Sequence, residues 1–408
     1  MTDTLRITDL TGRKTVQQTF QSGALHVISR SGLHAAERLL LDHLGSLTPV
    51  PAHLLVAGNR TGVAAMAAAL RFPDCAVTCH AFDLHHARAI ARNLTANAFS
   101  CRFCCDPGVT VPDAVRPPTG DGNGSAPVSL ACTATLPDGP FDAALFMSTP
   151  GSTTGELLLD QLEELHRALA PGGTCLIACE THVPALLKQV KRTFGPPAVL
   201  FHHGPLCCLS ARKRGALANP RDFTASFAAS LPGGASHTLY SLPGVFCHRR
   251  PDTGGLALAE VAARDLKPGA RVLDMGCGCG LVGLLLAAHQ PDARVTFVDS
   301  HSRALAATRR NLDALGLTAE SLVLSDSGLA VTGFDLFAGN PPYYSDFRIA
   351  DCFLRTARAA LTPGGVCLTV AKTAHALAER QRELFGAAEI LPRRGYGVVR
   401  SVQQGEPS

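Results

Sequence analysis

An offset of 218 residues lays one half of this 408-residue chain over the other. His53–Leu94 then runs over Arg271–Leu312 without a gap. Leu55, Gly58, Gly62, Pro73, Asp74, Arg92, Asn93 and Leu94 meet Leu273, Gly276, Gly280, Pro291, Asp292, Arg310, Asn311 and Leu312. Further on, A-L-A-P-G-G-T-C-L at 168–176 returns as A-L-T-P-G-G-V-C-L at 360–368. Identities spread over so long a span require a duplicated unit, so one fold has to serve both halves.

The second copy shows which fold. Apolar runs of strand length (R-V-L-D-M-G, R-V-T-F-V-D, S-L-V-L-S-D, Phe334–Gly339, G-V-C-L-T-V-A) alternate with helical stretches at Leu281–His289, Ser302–Leu315, Asp346–Leu361 and Ala374–Phe385. Two short runs joined by R-R-G-Y read as a closing hairpin. This alternation predicts an α/β protein with a doubly wound parallel sheet, whose ligands bind at the carboxyl ends of the strands. The expected architecture is two tandem Rossmann-like units, 1–214 and 215–408, the first degenerate. V-L-F-H-H-G-P-L-C-C-L should close the first copy as a hairpin, and residues near 215–235 should bridge the two. Asp106 to Pro140, rich in Pro, Gly and Ser, reads as a loose surface loop.

Hydrophobic content of 46% and charged content of 17% suit a soluble globular protein with ample core. No apolar run reaches the ~18 residues of a membrane span. The start M-T-D-T-L-R-I-T-D-L lacks a secretory pattern, which predicts a cytoplasmic location without a membrane partner. The odd count of 15 cysteines then points to reduced thiols rather than disulfides. Cys75, Cys79, Cys101, Cys104 and Cys105 come nearest to a zinc set, but no second C-x-x-C pair follows, so buried thiols and no metal are expected. Net charge is only +4, so any nucleic-acid contact has to come from local basic patches.

The chemistry-bearing residues lie at predicted strand ends of the second copy. Asp274, Gly276, Gly278 and Gly280 follow its first strand, where bare backbone and a helix amino terminus can approach a ligand. Asp299 ends the next strand, placed for a pair of ribose hydroxyls, and Asp326 the third, placed for an adenine amine. Taken singly, these acids read as solvated strand ends. Gly278-Cys-Gly280-Leu-Val-Gly283 also satisfies the nicotinamide fingerprint, but Asp274 and Gly276 ahead of it speak against that. The fourth strand stops at Asn340-Pro341-Pro342-Tyr343-Tyr344, a stiff turn rich in acceptors beside aromatic faces. It suits a planar group carrying an amine, although a lone N-P-P-Y would read as a proline turn with packed tyrosines. In the first copy Asp274 becomes Val56, Gly278 becomes Arg60, Asp299 becomes Ala81 and M-S-T-P replaces N-P-P-Y. Asp83 lies two residues from the lost acid and is a possible substitute.

By D-M-G-C-G-C-G, F-V-D, L-S-D and N-P-P-Y the second copy resembles the class I S-adenosylmethionine-dependent methyltransferases. The whole chain resembles the RsmC/RlmG-type ribosomal RNA (guanine-N2)-methyltransferases, which pair a degenerate domain with an active one. S-L-P-G-V-F at 241–246, with Asp252 and Gly254 after it, resembles their entry into the catalytic domain. Tyr343-Tyr344 and Lys372 depart from a family that often has Phe-His and Asn there.

The resemblance implies S-adenosyl-L-methionine as cofactor, held by Asp274, Gly276, Gly278, Gly280, Asp299, Asp326 and Asn340. It implies catalysis by Asn340, Pro341 and Tyr343 on a guanine N2 amine of ribosomal RNA, in 16S slightly before 23S. The expected partner is ribosomal RNA or a ribosomal subunit, and the expected state a monomer. The same corner resembles adenine-N6 and protein glutamine-N5 methyltransferases. A non-catalytic RNA-binding assembly factor is the reading of another class. In either RNA reading the first copy helps to hold RNA, through Lys188, Lys191, Arg192, Arg212, Lys213 and Arg214, with His248, Arg249 and Arg250 beyond them.

Overall fold

The duplication survives in three dimensions: matching strands start 218 residues apart at His53 and Arg271, and 192 apart at Leu169 and Leu361. The computed structural model describes residues 14–20, 23–29, 33–119, 128–148, 155–180, 183–342 and 347–405. Two compact units divide the chain: Met1–Asp106 with Arg116–Phe223, and Pro107–Val115 with Thr224–Ser408.

The first unit opens with a hairpin, β1 (Lys14–Phe20) and β2 (Gly23–Ser29), and helix α1 (Ala35–His43). Then come β3 (His53–Ala57), α2 (Val63–Arg71), β4 (Ala76–His80), α3 (Leu84–Ala96), β5 (Cys101–Cys105) and β6 (Val128–Cys132). It ends with β7 (Phe141–Ser148), α4 (Gly155–Ala168), β8 (Leu169–Cys179), α5 (Val183–Phe194), β9 (Ala198–His203) and β10 (Leu206–Arg212). The sheet runs β5-β6-β4-β3-β7-β8-β10-β9. Every strand runs in one direction except β10, which lies antiparallel to both of its neighbours, β8 and β9.

The second unit has the hairpin β11 (Ala225–Ala229) and β12 (His237–Ser241), α6 (Thr253–Asp265), β13 (Arg271–Met275), α7 (Leu281–His289) and β14 (Arg294–Asp299). Next are α8 (Ser302–Leu315), β15 (Ser321–Leu324), β16 (Phe334–Gly339), α9 (Arg348–Ala360) and β17 (Leu361–Ala371). α10 (His375–Phe385), β18 (Glu389–Arg393) and β19 (Tyr396–Val402) close it. The order β15-β14-β13-β16-β17-β19-β18 reverses direction beside β13, which opens a crevice at the carboxyl ends of β13 and β16. Val272, Leu273, Leu336, Phe337, Ala338 and Leu368 are buried on these central strands, as sheets covered on both faces require. These are the two tandem Rossmann-like units that the alternation predicted.

The repeated residues turn out to be scaffold. Gly62 and Gly280 both precede a helix in the left-handed region, at φ 82° and 84°. A Cβ on Gly62 would meet Ile90, and one on Gly280 would meet Thr308, the same position of the following helix. The side-chain amide of Asn93 donates to the Thr61 carbonyl at 2.7 Å, and that of Asn311 to the Cys279 carbonyl at 2.9 Å. Asp142 accepts from the His53 amide and Asp335 from the Arg271 amide, so each acid pins the start of the central strand.

Two expectations are corrected. Asp106 to Pro140 is not simply a loose loop: Val128–Cys132 forms a strand between β4 and β5, giving this sheet an eighth strand. Its V-S-L-A-C run has core residues but little length, and the Pro- and Gly-rich surroundings hid it. Pro107–Val115 belongs to the second unit, where Thr110 accepts from Leu324 and donates to Leu322. That contact covers part of the open edge of β15. The bridge near 215–235 is likewise divided. Arg221 binds Glu163 through its backbone amide and its guanidinium, within the first unit, while the β11–β12 hairpin belongs to the second.

Candidate functional site

The glycine loop is built by three different pressures. Gly276 sits at φ 70°, and a Cβ there would come within 2.8 Å of the Phe353 ring. Gly283, on α7, faces Phe297 and Asp274, which a Cβ would meet at 2.4 and 2.9 Å. Gly278 differs: at φ 58° its missing side chain would meet nothing nearer than Val245 at 4.0 Å. Backbone that is bare and open on one side is what a flat ligand needs for close approach.

Asp274, one residue before the end of β13, is almost fully buried and accepts from the Gly283 amide at 2.8 Å. Burial pushes its carboxyl up to about 7, partly opposed by that amide, with the nearby Asp299 charge adding to the rise. Asp299 closes β14: one oxygen accepts from the Gly278 amide at 2.9 Å, the other from the His301 amide at 2.9 Å. These two amide bonds fix the orientation of the acid at the strand end. Asp326 lies just beyond β15 and accepts from the Ser327 hydroxyl at 3.0 Å. Its turn is held by Ser325, whose amide donates to the Asp299 carbonyl. Glycines and acids thus gather at the carboxyl ends of three adjacent strands.

Asn340 follows β16 directly, and its side-chain amide donates to Asp252 Oδ2 at 2.6 Å. Asp252 is the N-cap of α6 and accepts from the Gly254 and Gly255 amides at 3.1 and 2.7 Å. A Cβ on Gly254 would lie 3.2 Å from the Tyr396 ring and 3.5 Å from the Asn340 amide nitrogen. Pro341 is buried and Pro342 half-buried, whereas Tyr343 and Tyr344 lie outside the described residues. Sequence reasoning missed Asp252 and Tyr396 as parts of this corner. An Asp ahead of T-G-G and an apolar run was a readable helix start, but its contact across 88 residues was not.

The first unit lacks this constellation. Met147 is buried where Asn340 stands, and Gly58 is glycine because a Cβ would strike the Met147 carbonyl at 2.2 Å. Asp83 caps α3 through the His85 amide, so it is committed to the helix. A buried acid lies elsewhere: Glu37, on α1, accepts from the Thr61 hydroxyl at 2.6 Å, and burial pushes it up to about 7. All 15 cysteines are free thiols. Burial raises those of the set once weighed for zinc, Cys79 to about 12 and Cys75 and Cys101 to about 11. Of the basic residues, Lys213 donates to the Leu169 and Arg167 carbonyls and Arg212 to Gly172, while Lys188, Lys191, Arg192 and Arg214 are exposed.

Residues 236–400 match the family model of the methyltransferase small domain. A ribosomal RNA small subunit methyltransferase C of Haemophilus influenzae (strain PittGG) is 33% identical over 171 residues, covering 41% of this chain and 51% of the relative. Its counterpart in Pseudomonas fluorescens Pf-5 is 37% identical over 137 residues, 33% of this chain and 41% of that one. The chain therefore spans about half the length, or less, of these curated relatives. The solved T. thermophilus 16S rRNA N2 G1207 methyltransferase (RsmC), in complex with AdoMet and guanosine, superposes with a TM-score of 0.70. It is 22% identical and covers 96% of this chain and 98% of its own, a likeness of fold through both units. Residues 236–400 thus resemble a methyltransferase small domain, and the chain as a whole has a fold of two tandem Rossmann-like units.

Proposed function

We propose that the second unit transfers a methyl group from S-adenosylmethionine to the exocyclic N2 amine of a guanine in ribosomal RNA, the small-subunit 16S RNA before 23S. The protein would act as a cytoplasmic monomer. One observation carries the reading: the open glycine loop, the oriented Asp299 and the Asn340 corner converge at the carboxyl ends of β13, β14 and β16. The names of the curated relatives supply the substrate class and the small-subunit preference.

The residues present fit the cofactor. Gly278 offers bare backbone on an open side, Asp299 is held in a fixed orientation by two backbone amides, and Asp326 sits at the next strand end. Gly276 and Gly280 shape the loop around them, and Asp274 supplies a carboxyl behind it. S-adenosylmethionine, when bound, supplies a methyl group on a positively charged sulfur that leaves as a neutral thioether. The work left to the protein is orientation. A guanine N2 amine has its lone pair delocalised into the ring. The Asn340 side-chain oxygen and the Pro341 carbonyl accept its two hydrogens and turn the lone pair out of the base plane. Tyr343 stacks on the base, a contact worth about 1–3 kcal/mol. The proton released afterwards goes to solvent without a dedicated base.

The first unit acts as scaffold and RNA holder, with Lys188, Lys191, Arg192 and Arg214 offering phosphate contacts that fix register rather than sequence. The test is methyl transfer from labelled cofactor to 16S RNA, 23S RNA and each ribosomal subunit taken from a strain lacking this gene. Label recovered as N2-methylguanine supports the reading. Label in N6-methyladenine or in protein, or cofactor binding without transfer to any of these substrates, overturns it.

A further inference from the structure

A carboxylate can only accept hydrogen bonds, whereas an Asn side chain has a donor end and an acceptor end of nearly the same shape. The 2.6 Å contact between Asn340 and Asp252 therefore does more than anchor the side chain. We propose that Asp252 is the positioning residue that sets the polarity of the Asn340 amide. Its carboxylate holds the NH2 end and so turns the side-chain oxygen towards the acceptor amine. This inference rests on the proposed role of Asn340.

Four features support it. Asp252 is itself fixed, because the Gly254 and Gly255 amides at the start of α6 hold its two oxygens. Two glycines let the helix come this close: a Cβ on Gly255 would lie 3.0 Å from Asp252 Oδ2, and one on Gly254 would crowd Tyr396 and Asn340. The rest of α6 is tied to the terminal hairpin, with buried Glu260 paired to Arg393 and Arg394 and Asp265 paired to Arg400. The N-cap thus belongs to a helix that ion pairs anchor about two turns and about three and a half turns further along. Finally, an anion on the NH2 end polarises the amide and makes its oxygen a stronger acceptor. Without Asp252 the amide flips freely, and in the flipped sense it points two hydrogens at an amine that also carries two.

An N-cap role alone would explain Asp252 as well, so the test has to separate the two. Asp252→Ser keeps a good cap but is too short to reach Asn340. Its melting temperature should stay within a few degrees of wild type while kcat falls about 10- to 100-fold, with the KM for cofactor nearly unchanged. Asn340→Asp places two carboxylates face to face and should lose more than 100-fold at pH 8. The exchange Asp252→Asn with Asn340→Asp restores one donor between the two positions and an oxygen on the substrate side. It should recover at least tenfold over Asn340→Asp alone.

The Asn340 side-chain amide resonance gives a readout that needs no turnover. One of its two protons should be shifted downfield by the carboxylate in wild type and not in Asp252→Ser. Wild-type kcat in Asp252→Ser, no recovery in the exchange, or an unmoved amide resonance overturns the proposal. If no substrate is methylated at all, the activity reading has failed, and the resonance still decides whether Asp252 orients Asn340.

Discussion

Asp274→Asn should make the free protein more stable at neutral pH while weakening its hold on the cofactor. The carboxyl is buried and lies near 7 instead of its ordinary 3.8. The folded protein keeps this proton between those values and the unfolded chain releases it. Stability is therefore fully present below about pH 4, falls as pH rises, and levels off above about pH 7. At 1.36 kcal/mol per pH unit the whole loss is about 4 kcal/mol, more than half of it between pH 5 and pH 8. Asparagine keeps an acceptor for the Gly283 amide and has no charge to bury. In equilibrium urea unfolding, its advantage over wild type should grow by roughly 2–3 kcal/mol from pH 5 to pH 8. Glu37, also raised to about 7, contributes the same slope to both proteins and cancels in the difference. In the loaded wild type, the cofactor's positive charge should favour the ionised acid, so that binding below pH 7 releases a proton. Calorimetry in two buffers of different ionisation enthalpy reads that release. Parallel stability curves for the two proteins, with no proton released on binding, would refute the reasoning.

Asn340→Ala should reduce methyl transfer to background while cofactor affinity, measured by calorimetry, stays within a few fold. Asp299→Ala should weaken cofactor binding by about 1.5–3 kcal/mol, the range for a hydrogen bond to a charged group. Wild type should bind one cofactor per chain, since Ala81 holds the equivalent place in the first unit, and a calorimetric stoichiometry of two would contradict the assignment. Gly283→Ala forces a methyl into Phe297 and Asp274 and should lower stability by about 1–3 kcal/mol in urea unfolding, with cofactor affinity falling alongside. Neutralising Lys188, Lys191, Arg192 and Arg214 together should raise the KM for RNA and flatten its salt dependence without touching cofactor affinity. Wild-type efficiency across a salt series would leave the first unit as a folding support only.

What the sequence revealed and what it hid follow from the range of the interactions. Helices α7 and α8 begin and end where the apolar period and the caps place them, because those signals act within one turn. α9 starts at Arg348, two residues after the expected start. The strand expected from Gly365 starts at Leu361, because its pairing with β16 shifts register near Leu336 and takes in the P-G-G turn residues. Asp274, Gly278 and Asp299 could be found because strand-end position alone brings them together. Asp252 could not: its partner lies 88 residues away, and only the packing of α6 against β16 and β19 joins them. The same limit hid Thr110, whose two backbone bonds to β15 leave no trace in side-chain pattern.

Duplication separates scaffold from chemistry more cleanly than either copy could alone. Residues kept in both halves meet the same neighbours in both: Asn93 and Asn311 hold the loop ahead of the helix, and Asp142 and Asp335 pin the central strand. Their retention follows from the fold and says nothing about catalysis. Residues kept in one half only are the ones the fold can do without, since the other half folds lacking them. Val56 and Met147 are buried where Asp274 and Asn340 stand. The second unit, by contrast, keeps a buried carboxyl at a cost in stability and an amide held by a helix cap. A group that the fold tolerates losing and that lowers stability, as the buried Asp274 carboxyl does, marks a position that the fold alone does not explain.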